Sequence, residues 1–178
     1  MNPEERSMKE PIPAEVQALI GVPLYEEQTE FDIEMGYVHN TCAAVGNGNP
    51  LFWDKEVAAA ITGGQIAPPT MLSVWFRPHY WAPGGSVDRK ALQAHFDLKE
   101  KLNLPEAVVT TNETIFGEPV RIGDKLTVRQ TIKSISDIKK TKLGQGRFWV
   151  IEVETTNQHG AHVGTDIYTC LGYRRSEE

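Results

Sequence analysis

The stretch Tyr37-Val-His-Asn-Thr-Cys-Ala-Ala-Val-Gly-Asn-Gly-Asn-Pro-Leu-Phe-Trp-Asp54 decides how this 178-residue chain is read. Its first half belongs to a segment, Glu34 to Val45, that is Ala-rich enough for a short helix. Gly46-Asn47-Gly48-Asn49-Pro50 then forbids any continuation, since two glycines and a proline in five residues leave no helix interior intact. A second short helix fits Lys55 to Ile61. A third can begin at Thr70 behind Pro68-Pro69 and must stop or kink by Pro78, because proline supplies no N–H. From Thr70 to Phe76 that helix spans only about 10 Å at 1.5 Å per residue. A fourth fits Arg89 to Leu102, with Leu92, Phe96 and Lys99 on one face.

The C-terminal third reads differently. Leu126, Val128 and Ile132 alternate with Thr127, Arg129 and Thr131, the period of a strand with one buried face. Phe148 to Val153 is aromatic and β-branched, Asn157-Gln158-His159-Gly160 makes a turn, and Val163 to Tyr173 alternates again. Val108 to Ile115 and Tyr25 to Ile33 complete a set of about five strands. Helices followed by strands predict an α+β fold with an antiparallel sheet wrapped over helix.

Composition sets the outer bounds. Hydrophobic residues make up 40% and charged residues 24%, which excludes disorder and low complexity. The longest apolar runs, such as Ala58 to Ile61, are far shorter than a membrane span, so no membrane association is expected. Met1 to Ala14 is polar and acidic, unlike a secretory signal, and the chain is read as soluble and cytoplasmic with Cys42 and Cys170 reduced. A net charge of −6 argues against a nucleic-acid partner. The charge is uneven. Residues 1–36 hold nine acids against Arg6 and Lys9, net −7, whereas residues 121–147 hold eight bases against Asp124 and Asp137, net +6. The basic segment is either a solvated strand face or a landing patch for a phosphorylated ligand or acidic partner.

The opening stretch resembles the hydratase motif of the MaoC-like family, the (R)-specific enoyl-CoA hydratases and dehydratases. That motif runs Gly-Asp-x-Asn-Pro-Leu-His, and Gly46, Asn49, Pro50 and Leu51 match it. Ile66-Ala67-Pro68-Pro69-Thr70-Met71-Leu72 sits where the family enters its central helix, and Pro119-Val120-Arg121-Ile122-Gly123-Asp124 resembles its Pro-Val-x-x-Gly-Asp turn. The resemblance covers roughly Ala18 to Arg175. It implies a hot-dog domain over residues 18–178, a curled antiparallel sheet around a shortened central helix, with residues 1–17 as an N-terminal extension.

The same resemblance shows what is missing. The family's catalytic Asp, which activates water, falls at Asn47, and its His falls at Phe52. Neither replacement can take a proton at useful pH. The backbone N–H that polarises the thioester carbonyl would come from the turn at Pro68-Pro69, where proline has none to give; Thr70 N–H is the remaining candidate. General acid–base catalysis is worth roughly 10²–10⁴-fold, so the chain alone is expected to be inactive on enoyl thioesters. Some family members are heteromers in which one hot dog carries Asp and His and the other shapes the acyl pocket. This chain is most similar to the non-catalytic subunit of the steroid side-chain type, which implies a catalytic MaoC-like partner in a heterodimer or heterotetramer and an acyl-CoA ligand. In that type a zinc-ribbon and OB-like domain often follows; whether this chain is a stand-alone subunit or an excised domain stays open.

Other residues bear on the ligand. Trp75, Phe76, Tyr80 and Trp81 either pack the core or, with Phe52, line an acyl pocket. If the short central helix leaves space, either the helix around Leu92 and Phe96 folds back into it, or a pocket walled by Trp75, Phe76 and Trp81 remains for a bulky acyl group. Lys139, Lys140, Lys142 and Arg147 are candidates to hold CoA phosphates, or a solvated hairpin tip. His159, His162 and Asp166 do not complete a tetrahedral metal set, and no Gly-rich phosphate motif or Cys-x-x-Cys occurs, so neither metal nor cofactor is expected. Two other functions stay open: a self-sufficient thioesterase or hydratase using His39 or Glu113, and an acyl-CoA-binding module without chemistry.

Overall fold

A computed structural model describes residues 10–77, 81, 83–84 and 90–175; Pro78, Tyr80 and Arg89 lie outside them. The described chain runs α1 (Ala14–Gln17), β1 (Pro23–Gln28), α2 (Met35–Ala44), α3 (Pro50–Trp53), α4 (Lys55–Thr62), a 3₁₀ helix (Pro69–Val74), α5 (Gln93–Lys101), β2 (Glu106–Phe116), β3 (Leu126–Ile135), β4 (Lys139–Thr141), β5 (Gly144–Asn157) and β6 (His162–Arg174). The sheet is antiparallel throughout, in the order β1-β3-β5-β6-β2, with β4 paired to the start of β5. It therefore has six strands rather than about five. The extra one, β4, is three residues long and occupies what the sequence reads as a loop.

Side-chain alternation decides which face is covered. Leu126, Val128, Gln130 and Ile132 of β3 are buried while their neighbours are half-exposed. Register then places Gln130 opposite Val153, Val153 opposite Asp166, and Asp166 opposite Thr114, one row across four strands. On the other face the basic segment meets acids across the ladder: Lys133 Nζ lies 3.0 Å from Glu152 and Arg129 Nε donates to Glu154 at 2.7 Å. Arg129 and Lys133, two of the eight bases in residues 121–147, thus lie on a paired strand face.

Two apolar cores sit on the covered face. In the first, Met71 and Leu72 of the 3₁₀ helix join Val38, Cys42, Phe52, Leu126 and Val163. Leu72 presses closely on β6: a Cβ on Gly164 would stand 2.6 Å from its Cδ2 and 3.0 Å from Ile115 O. In the second, Ala94 and Leu98 of α5 join Val16, Ile132, Trp149, Ile151 and Cys170. Val16 is wholly buried, so residues from α1 of the expected extension pack as part of the core.

Two helices differ from expectation. The central one is a 3₁₀ helix over Pro69–Val74, not an α-helix from Thr70 to Phe76. Pro68 and Pro69 have no N–H, and the first donor used is Met71, bonded to Pro68 O at 2.9 Å, an i→i+3 closure. The later helix spans Gln93–Lys101 and folds back over the sheet, but it buries Ala94, His95 and Leu98 rather than the Leu92–Phe96–Lys99 face. Phe96 points outward beneath Lys90 Nζ, 4.2 Å from its ring centroid. Gln130 fixes the helix start, accepting from Ala94 N–H at 3.0 Å and donating to Ala91 O at 3.3 Å.

Candidate functional site

The Gly46–Trp53 loop builds itself from local hydrogen bonds. α2 ends at Ala44 with Val45 as its C-cap, and Gly46 takes a φ of +66°, which turns the chain so that Asn47 N–H reaches Cys42 O at 2.8 Å. Asn47 Oδ1 accepts from Asn49 N–H at 3.1 Å, and Asn49 Oδ1 accepts from Leu51 N–H at 3.0 Å, capping α3 with Pro50 at its first position. This one-turn helix is absent from the sequence reading, although Asn-Pro ahead of Leu-Phe-Trp is the signal that marks it. Asp54 repeats the device, accepting from Glu56 and Val57 N–H to start α4.

The two positions that would carry catalysis face different surroundings. Asn47 is half-buried and its carboxamide oxygen is occupied by its own loop, while its carbonyl accepts from Trp53 Nε1 at 2.8 Å. Phe52 is 7% exposed and belongs to the first core with Met71 and Leu126. His39 Nε2 reaches the Phe52 carbonyl at 3.1 Å, and its ring stacks on Trp53 at 4.4 Å with planes 11° apart. It is a clamp on the loop. Glu113, one residue before Thr114 on β2, points to the face away from the helices.

The Pro-Val-x-x-Gly-Asp turn holds the entry to the 3₁₀ helix. Ala67 N–H donates to Val120 O at 2.9 Å, Gly123 bonds Ile33 O with a φ of +90°, and buried Asp124 takes Arg121 N–H at 2.7 Å and Gln158 Nε2 at 3.0 Å. Beyond that helix, Trp75 and Phe76 are half-buried against the first core, and Trp75 sits 5.5 Å from the Tyr37 ring. The Trp75 indole N–H is buried with no acceptor among the described residues. Trp81 is 77% exposed.

Phe52, Trp75 and Phe76 are therefore brought to one region, and the basic candidates are not. Lys139, Lys140 and Lys142 are exposed on and beside β4, at the opposite end of β5 from the first core. Arg147 is separated from them by burial: it is 4% exposed and donates to Ser136 O at 2.9 Å and to Glu10 O. Among the described residues no group of three His, Cys, Asp or Glu could hold a metal. His162 Nε2 instead lies 2.8 Å from Thr165 Oγ1, and Asp166 accepts from Thr114 Oγ1 at 2.6 Å. Neither Gln130 nor Tyr168 was singled out from sequence. Burial raises the Tyr168 phenol pKa, the Asp166 charge adds to the rise, and Arg77 opposes it.

A curled antiparallel sheet around a short central helix, fed by a Gly-x-x-Asn-Pro loop, defines a hot-dog domain of the hydratase and dehydratase class. Residues 18–166 match the family described as the FAS1-like dehydratase domain region, and the chain belongs to that family. It is 30% identical over 169 residues to a probable enoyl-CoA hydratase alpha subunit of Thermomonospora curvata, a match covering 89% of this chain and 51% of that protein. The chain thus spans about half the length of that relative. A chain of the ChsH1-ChsH2 complex from Mycobacterium tuberculosis superposes with a TM-score of 0.75 at 20% identity, over 98% of this chain and 93% of that one. A chain of the HadBC (3R-hydroxyacyl-ACP dehydratase) complex from the same organism gives 0.57 at 22%, over 86% and 97%. At such identities these likenesses concern the fold, and both neighbours come from complexes. No helix among the described residues is long and apolar enough to cross a membrane.

Proposed function

We propose that this chain is the non-catalytic, pocket-forming subunit of a heteromeric enoyl-CoA hydratase, with a partner hot dog supplying the catalytic Asp and His. The observation that carries the reading is Phe52: the position that would hold the catalytic imidazole is an apolar side chain sunk in the first core. Asn47, with its oxygen committed to its own loop, agrees. A partner is favoured by β2, an edge strand hydrogen-bonded on one side only, to β6. It exposes Val109 and Ile115 to 48% and 53%, and an unpaired edge strand carrying exposed apolar side chains is usually covered. The two complexes among the structural neighbours support the same arrangement.

Within that reading the acyl group is bulky and ring-containing, of the steroid side-chain kind, and Trp75, Phe76 and Trp81 form this subunit's share of its wall, with Phe52 buried in the core against which Trp75 and Phe76 pack. The short 3₁₀ helix and the Trp75 N–H, without an acceptor among the described residues, support space and a polar contact there. Co-expression with a hot dog bearing the intact motif should yield one complex that hydrates ring-bearing enoyl-CoAs faster than crotonyl-CoA. Turnover by the pure, partner-free chain, lost in His39→Ala, would overturn the non-catalytic assignment. Two species that migrate separately would overturn the heteromer.

A further inference from the structure

The far end of the sheet holds a cavity of about 370 Å³ that the acyl site does not use. It opens between residues 10–13, the turn after α5, and the ends of β5 and β6. Lys101, Arg147, Arg174 and Arg175 line it, and Glu10 is the one acidic residue on its wall among the described residues. In a chain of net charge −6 this is a local reversal of sign.

How those cations are satisfied is the telling feature. Arg147 is 4% exposed, yet the partners of its guanidinium are the carbonyls of Ser136 and Glu10, which carry no charge. Arg174 likewise places both Nε and Nη2 on one carbonyl, Asn103 O, at 3.1 and 2.8 Å. Arg175 reaches Glu106 only at 3.5 Å, in a pair largely open to solvent. Buried charge is normally neutralised, and a guanidinium held by carbonyls is oriented without being neutralised. We infer that this cavity is a binding site for a small phosphate-bearing anion, with Arg147 and Arg174 held in place by carbonyls and offering their remaining N–H groups, and with exposed Lys101 as a third cation.

The volume exceeds what one phosphate fills, since water takes about 30 Å³ per molecule, and leaves room for a pyrophosphate group. The cavity is also remote from the hydratase loop. Gly164 lies under Leu72 of the central helix, and Arg174 is ten residues further along β6, about 33 Å of strand at 3.3 Å per residue. Binding here is independent of whether a partner supplies the catalytic pair.

The probe is inorganic pyrophosphate, titrated into the full chain by calorimetry and thermal unfolding, with sodium chloride matched for ionic strength. Saturable binding and a saturable rise in Tm are expected. Lys101→Gln and Arg174→Gln, both at exposed positions, should each weaken binding at least tenfold, while Lys139→Gln/Lys140→Gln, outside the cavity lining, should not. A response that follows ionic strength alone, no saturable binding, or equal loss in the Lys139→Gln/Lys140→Gln variant would overturn the site. Lys101→Gln gives a second reading should Arg174→Gln disturb the Asn103 contact.

Discussion

Placing an imidazole at position 52 (Phe52→His) should cost stability and return no hydration. Phe52 is 7% exposed and packs with Val38, Met71 and Leu126, apolar residues that offer the introduced ring no hydrogen-bond partner. Full burial of a phenyl side chain is worth about 1.5–3 kcal/mol, of which the imidazole retains part. A buried polar group left unpaired costs about 1–3 kcal/mol more. The net loss should be about 3 kcal/mol, a fall in Tm of roughly 6–12 °C for a domain of this size. The pH adds a second reading. Burial in an apolar site disfavours the charged ring, so its folded-state pKa falls below the ordinary value near 6.5. The unfolded chain then binds the extra proton, and the deficit relative to the parent should widen as pH falls from about 8 to about 5.5. Urea unfolding of both proteins at the two pH values, with an enoyl-CoA hydration assay alongside, measures all of this. A variant as stable as its parent at both pH values would mean that the side chain at 52 faces open space. The reasoning from a core-buried residue would then fail, as it would if the single substitution produced turnover.

Other expectations follow from the same contacts. Burial first, and then the Lys99 charge, hold the His95 pKa below its ordinary value, so the folded state keeps a neutral ring while the unfolded state takes a proton near pH 6.5. Stability should therefore fall on acidification through that range; His95→Gln, which keeps an acceptor for Trp149 Nε1, should flatten the slope, and an unchanged slope would exclude His95 as its source. Val109→Lys/Ile115→Lys on exposed β2 should change the chain's own stability by about 0.5 kcal/mol or less per site, yet abolish co-purification with a catalytic partner. Retained co-purification would place the interface elsewhere. Burial pushes the Cys170 thiol up to about 11 and raises Cys42 as well, so neither should label with a thiol reagent at pH 8 until the chain unfolds; prompt labelling of the native protein would contradict that packing.

Alternation in β3, β5 and β6 was legible because a strand with one covered face writes its burial directly into every second residue. The breaks at Gly46 and Pro68-Pro69 were equally plain, since a missing N–H or a positive φ is a property of the residue itself. Those local constraints predicted an antiparallel sheet over helix, and the resemblance of three short motifs to the MaoC-like family implied the hot-dog architecture that the structure has. The buried face of α5 was not legible. Its large apolar residue, Phe96, turns outward, and the polar His95 turns in because Trp149, 54 residues away in sequence, donates to it. The same holds for the cationic cavity. Lys101, Arg147 and Arg174 are far apart in sequence, and only the pairing of β5 with β6 and the return of α5 over the sheet bring them to one wall. Sequence determined what each segment can be, because backbone constraints and periodicity are local; tertiary structure alone decided which charges share a cavity, because that depends on register and on the path of the chain between distant segments.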